Sequence, residues 1–165
     1  MNFRQPLSAM LLVAILSVSA CESPEQRAET YYQSGMSYLE SGDVDRALVE
    51  FRNVFKFNGK HHDARLAYAN AERQRGNLKE AYSQYLRLIE QYPDDLVGLK
   101  ALTEIANDNG QLDDSDRFIT AALGAKPDDL DFQSLKIFKT YGEAIDRSDT
   151  AGMVAAVQAA RDMKV

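Results

Sequence analysis

The chain has no tryptophan, one cysteine and two histidines in 165 residues. A lone thiol, Cys21, excludes an internal disulfide framework, so packing must hold the fold together. The histidines, His61 and His62, are neighbours in the chain. Adjacent helical residues point in different directions, whereas a metal pair needs a spacing of three or four and further ligands. No metal site follows from them. Basic charge is also short: 19 Lys and Arg against 25 Asp and Glu leave a net charge of −6. An acidic surface repels a phosphate backbone, which argues against nucleic-acid binding. Ser-His-Asp and Cys-His groupings and phosphate-binding glycine loops are missing as well. Asp113-Asp114-Ser115-Asp116 lacks the alternation and the glycine of a calcium loop and reads as the acidic first turn of a helix. Nothing here makes a case for an enzyme or for a bound cofactor.

What the chain does have begins at its amino terminus. Arg4 and the amino group precede an apolar run, Leu7 to Ala20, that ends in Val18-Ser19-Ala20-Cys21. A positive start, a short apolar stretch and small residues at its end read as a secretory signal. The run falls short of the ~20 residues of a comfortable helical span. The Val-Ser-Ala-Cys ending resembles the lipobox of bacterial lipoproteins. That resemblance implies residues 1–20 as a lipoprotein signal peptide, cleavage ahead of Cys21, and lipidation of its thiol and new amino group. An ordinary signal peptide with a chance cysteine is the alternative. Several acyl chains anchor stably where one binds only marginally. The same resemblance implies a bacterial cell envelope location facing the periplasm, and Glu22 after the cysteine favours the outer membrane over the inner. Ser23-Pro24-Glu25-Gln26 reads as a helix start, with Ser23 as N-cap and Gln26 closing a capping box. Residues 21–27 are then only a short linker and helix start.

The rest of the chain is organised by a period. Ser41-Gly42-Asp43-Val44, Arg75-Gly76-Asn77-Leu78 and Asn109-Gly110-Gln111-Leu112 place their glycines at 42, 76 and 110, successively 34 residues apart. Pro93-Asp94-Asp95-Leu96 and Pro127-Asp128-Asp129-Leu130 repeat at the same spacing. Each glycine ends one helical pattern and opens another, which predicts stacked helix-turn-helix units. Asp43 and Asn77 are placed to cap the second helix of their units. Gln111 is a poor cap.

These positions resemble the tetratricopeptide repeat family over about residues 28–129. The first unit (28–61) carries Tyr31, Gly35, Tyr38, Ala47, Phe51 and Val54. The second (62–95) carries Tyr68, Ala69, Ala81, Tyr85, Leu88 and Pro93. The third (96–129) carries Leu99, Leu102, Ala106, Ser115, Ile119, Ala122 and Pro127. The resemblance implies an all-α, right-handed α-solenoid. Small residues lie where helix axes approach, and Phe51, Tyr85 and Ile119 fill the space between units. Gly59 stands in place of the first unit's proline, and Glu72 in place of an aromatic. Residues 130–165 fit as a degenerate fourth pair whose turn, Asp146-Arg147-Ser148-Asp149, arrives about four residues late. Solenoids usually close with a polar capping helix, and none is read here. Val154, Val157 and Met163 are expected to form an open apolar end. Self-association or docking into a larger complex through residues 150–165 follows from that, or the chain is the first part of a longer array.

Carried over by position, the family's concave face is lined by the first helix of each unit. Its apolar part is Tyr32, Met36, Leu39 and Leu66; its polar part is Asn70, Arg73, Lys100 and Glu104. Such a face suits an extended or helical peptide with an apolar anchor. The Lys and Asn clamp of the chaperone-binding members is replaced here by Tyr32, Met36 and Val97. The expected function is a membrane-anchored periplasmic adaptor or scaffold for protein or peptide partners in envelope assembly or export. The alternative is a structural subunit of a larger envelope complex, in outer-membrane assembly, pilus biogenesis or polysaccharide export, docking through its open end. The expected cofactor list is empty apart from covalent lipid on Cys21.

Overall fold

The computed structural model describes residues 22–163. Residues 1–21, with the expected signal peptide and Cys21, and residues 164–165 lie outside them. Eight helices follow one another among the described residues: α1 (Pro24–Glu40), α2 (Val44–Phe57), α3 (His62–Gln74), α4 (Leu78–Gln91), α5 (Leu96–Asp108), α6 (Leu112–Ala125), α7 (Leu130–Asp146) and α8 (Thr150–Asp162). No strand occurs among the described residues. The fold is a solenoid of antiparallel helix pairs.

Local chemistry fixes the boundaries. Ser23 N–H donates to Gln26 Oε1 at 2.8 Å and Gln26 N–H donates back to Ser23 Oγ at 3.2 Å, closing the expected capping box. At the other end of α1, Asp43 N–H donates to Tyr38 O and Gly42 N–H to Leu39 O. This double bond pattern satisfies carbonyls that the helix end would leave orphaned, and it needs a left-handed residue, which Gly42 supplies at φ +80°. Gly76 and Gly110 do the same for α3 and α5. The fourth pair closes with the same turn built on a serine. Asp149 N–H reaches Ala144 O, Ser148 N–H reaches Ile145 O, and Ser148 takes φ +53°. The lateness of that turn is the length of α7, 17 residues against 13 for α3 and α5.

The caps depart from expectation in two places. Asp43, Asp95, Asp129 and Asp149 each accept a backbone N–H from the first turn of the following helix. Asn77 does not cap α4: its amide donates to Glu72 Oε2 at 3.0 Å instead. Glu72, which stands where the family has an aromatic, is buried and draws that amide away. His61 takes the N-cap position of α3, with Nδ1 accepting from Ala64 N–H at 3.3 Å.

Each helix packs most broadly on its own partner, α1 with α2, α3 with α4, α5 with α6 and α7 with α8. The seams between pairs are thinner, and the α6–α7 seam is the least extensive of the three. Two buried clusters result. One joins Phe51 and Val54 of α2 to Ala64 and Tyr68 of α3. The other joins Tyr85 of α4, Leu99 and Leu102 of α5, Ile119 of α6 and Phe132 of α7. Burying each large side chain stabilises the stack by roughly 1.5–3 kcal/mol. Gly35 serves as foreseen: the Phe51 ring packs so close to it that no side chain would fit.

Candidate functional site

The residues expected on the concave face sit on α1, α3 and α5, and the structure divides them into two kinds. Tyr32, Met36 and Leu39 are half-buried and lean on the first cluster. Leu66 is half-buried too, but it leans on the second cluster. The Tyr32 ring lies 4.9 Å from the His61 ring and 6.3 Å from Phe51. Burial raises the Tyr32 hydroxyl pKa, and the nearby carboxylates of Asp63 and Glu29 add to the effect. This phenol stays neutral and offers a partner an aromatic surface with a hydroxyl at its edge.

The polar residues are tied to their neighbours. Arg73 Nη2 donates to Glu104 Oε2 at 2.7 Å, joining α3 to α5. The hydrogen bond to Glu104 holds the guanidinium pKa above its ordinary value. Lys100 donates to Asp131, joining α5 to α7, and that contact likewise raises its pKa. Asn70 Oδ1 accepts from the Tyr85 hydroxyl at 2.5 Å, joining α3 to α4. The sequence reading offered these groups to a ligand. The structure places Arg73, Glu104 and Lys100 in bridges about one repeat long and Asn70 in a shorter one within the second pair.

The two histidines extend this set. His61 Nε2 faces Glu29 Oε2 at 3.3 Å, linking α3 to α1. His62 is held between Asp63 Oδ1, 2.7 Å from Nδ1, and Asp95 Oδ2, 2.6 Å from Nε2. Tyr92 packs edge-on to its ring at 4.8 Å. Only the imidazolium donates from both nitrogens, and the hydrogen bond to Asp63 leads the upward shift of the His62 pKa. Sequence spacing hid these links because each joins residues more than 30 positions apart.

A second surface lies on the fourth pair. Phe138 is 79% exposed and Val154 65%, with Ile145, Val157 and Tyr141 beside them. A cleft of about 390 Å³ between α7 and α8 is lined by Ile137, Phe138, Tyr141, Ala156, Val157 and Met163. Val154, Val157 and Met163 were expected here. The aromatic half on α7 was missed, although Phe138, Tyr141 and Ile145 fall three and then four residues apart, a single helical stripe.

Comparison with known proteins fits this geometry. Residues 38–105 match the tetratricopeptide repeat family. Protein CTR9 homolog from Arabidopsis thaliana is 25% identical over 141 residues, 83% of this chain; the chain spans only 12% of that relative's length. Among solved structures, MamA from Desulfovibrio magneticus RS-1 superposes with a TM-score of 0.61 at 17% identity, over 84% of this chain and 78% of that one. The first repeat domain of Spaghetti (RPAP3), solved with an HSP90 peptide SRMEEVD, gives 0.58 at 12% identity, over 86% of this chain and 99% of that one. Helix pairs, left-handed turns and the match over residues 38–105 together give this chain the helix-pair fold of tetratricopeptide repeats.

Proposed function

We propose that this chain is a lipid-anchored adaptor of the bacterial envelope. It is secured through Cys21 at the periplasmic face, with the outer membrane favoured, and binds a protein or peptide along α1 and α3. The units are 28–61, 62–95 and 96–129, followed by a fourth pair. No cofactor is needed beyond the lipid on Cys21. The carrying observation is the half-buried apolar group Tyr32, Met36 and Leu39 beside His61, flanked by cross-helix bridges. Pre-ordered side chains cost less entropy to bind than free ones, so such a face suits holding a segment of another protein.

The position of Tyr32 and Met36 speaks against the chaperone-tail mode. A peptide carboxylate needs cations or amide donors there, and this chain presents an aromatic and a thioether. An apolar anchor inserted beside Tyr32 is the better fit. The test is a photoreactive residue at Tyr32 or Leu66 in intact cells, followed by mass spectrometry of the membrane fraction. One specific adduct, lost in Leu66→Glu, supports the reading. Adducts unaffected by Leu66→Glu, or none, overturn it. Metabolic labelling with a clickable fatty acid, lost in Cys21→Ala, tests the anchor separately.

A further inference from the structure

The repeat gives the end surface a register. Nine residues past each turn residue stands a second-helix side chain: Phe51, Tyr85, Ile119 and, in the fourth pair, Val157. Three residues further stand Val54, Leu88, Ala122 and Ala160. In the first three pairs all six are buried: Phe51 and Val54 share a cluster with Ala64 and Tyr68 of α3, Tyr85, Ile119 and Ala122 share one with Leu99 of α5 and Phe132 of α7, and Leu88 lies against Gly98 of α5. In the fourth pair both Val157 and Ala160 are exposed. The cleft on α7 and α8 is thus the fourth copy of a socket that the chain fills three times with its own helices.

The third and fourth sockets are also chemically alike. Ile119 and Ala122 correspond to Val157 and Ala160, a β-branched aliphatic followed by an alanine. The third socket is filled by α7, which is N-capped by Asp129 and inserts Phe132 in its first turn, with Leu135 packed alongside. The opposite end of the stack cannot serve as a head-to-tail filler. Gln26, Thr30, Gln33 and Ser37 give α1 an exposed polar stripe.

From this register we infer that the α7–α8 face binds an amphipathic α-helix of another protein. That helix carries an aromatic residue in its first turn and a leucine three positions on, and it lies where the first helix of a following pair would lie. The occupant continues an interface already made three times within this molecule. Its binding is independent of the face on α1 and α3. Phe138 and Tyr141 line the same cleft and extend its apolar surface along α7.

The test uses the full chain in detergent micelles. The probe is a fluorescent peptide of residues 130–146, stapled across its solvent-facing side because short isolated helices are marginal in water. Saturable binding is expected, weakened about tenfold or more by Val157→Glu and unchanged by Leu66→Glu. Lack of saturable binding, or binding retained in Val157→Glu, overturns the inference. A photoreactive residue at Phe138, exposed enough to tolerate the change, names the occupant in cells. A cross-linked helix of another protein with the aromatic–leucine spacing supports the inference, and cross-links to a second copy of this chain overturn it. Adducts at Phe138 together with silence at Tyr32 leave this surface standing and remove only the adaptor reading along α1 and α3.

Discussion

A Cβ atom placed on Gly35 would lie 2.6 Å from Cε1 of Phe51, closer than any real contact allows. The Phe51 ring has no room to retreat, because it is fully buried and Tyr32 leans on it. Gly35→Ala is therefore expected to lower stability by about 1–3 kcal/mol, the usual cost of overpacking a core. Gly124→Ala is the control. A Cβ there meets nothing within 4 Å, and alanine is worth roughly 0.5–1 kcal/mol over glycine inside a helix. Urea melts of the two variants should move in opposite directions.

Ser148 holds a left-handed conformation that its three counterparts give to glycine. Its side chain makes that conformation costly by roughly 1–2 kcal/mol. Ser148→Gly should recover part of this and slow amide exchange in α7 and α8 without changing α1 to α4. A uniform change in exchange along the chain would contradict the local origin.

His62 gives the stack a pH dependence. Its folded pKa is raised, first by the hydrogen bond to Asp63, then by Asp95, against an opposing effect of burial. A raised histidine stabilises fully below its unfolded value of about 6.5, and that stability is lost as pH rises through the folded value. Stability should thus fall from about pH 6.5 upward and level off once the imidazolium is gone. His62→Gln should flatten the slope. Asp95→Asn, which keeps a good N-cap for α5, should reduce it while leaving α5 folded. Melts across the pH range and the imidazole NMR titration check both points.

Arg65 is buried, with its guanidinium 4.4 Å from the Phe55 ring. It donates to Gln84 Oε1 at 2.8 Å and to Gly59 O at 2.5 Å, tying the α2–α3 loop to α4. Arg65→Met should cost about 1–3 kcal/mol, because acceptors are left short of donors in the interior. Arg65→Lys should recover little of that, since a single ammonium cannot reproduce the planar fork. A lysine variant as stable as the parent would show that charge, not geometry, is what matters there.

The parts of the fold written in short-range spacing were legible in the sequence. The capping box at Ser23 and Gln26, the glycine turns and the aspartate caps each rest on residues a few positions apart, where chemistry is decided locally. What spacing did not announce were mostly pairings between distant residues. Asn77 looks like a cap until Glu72, five residues back, takes its amide. Arg73, Lys100 and Asn70 lie on the expected face, and later helices bring Glu104, Asp131 and Tyr85 against them, pairings that spacing does not announce. His61 and His62 look idle until Glu29 and Asp95, more than 30 positions away, are brought against them. Phe138 was overlooked for a different reason. Its helix already spends Phe132 and Ala144 on burial, so one apolar stripe masked another.

The uneven seams also have a mechanical meaning. A stack in which each pair touches mainly its neighbours carries tension in series, so it yields at its weakest joint. If the amino-terminal end is fixed and a partner pulls on α8, every seam bears the same tension, and the α6–α7 seam, the least extensive of the three, yields first. The last pair would peel away while the first three keep their shape. Under load the molecule would behave as a stiff post with a breakaway tip, the break exposing Phe132 and the end of the second core cluster.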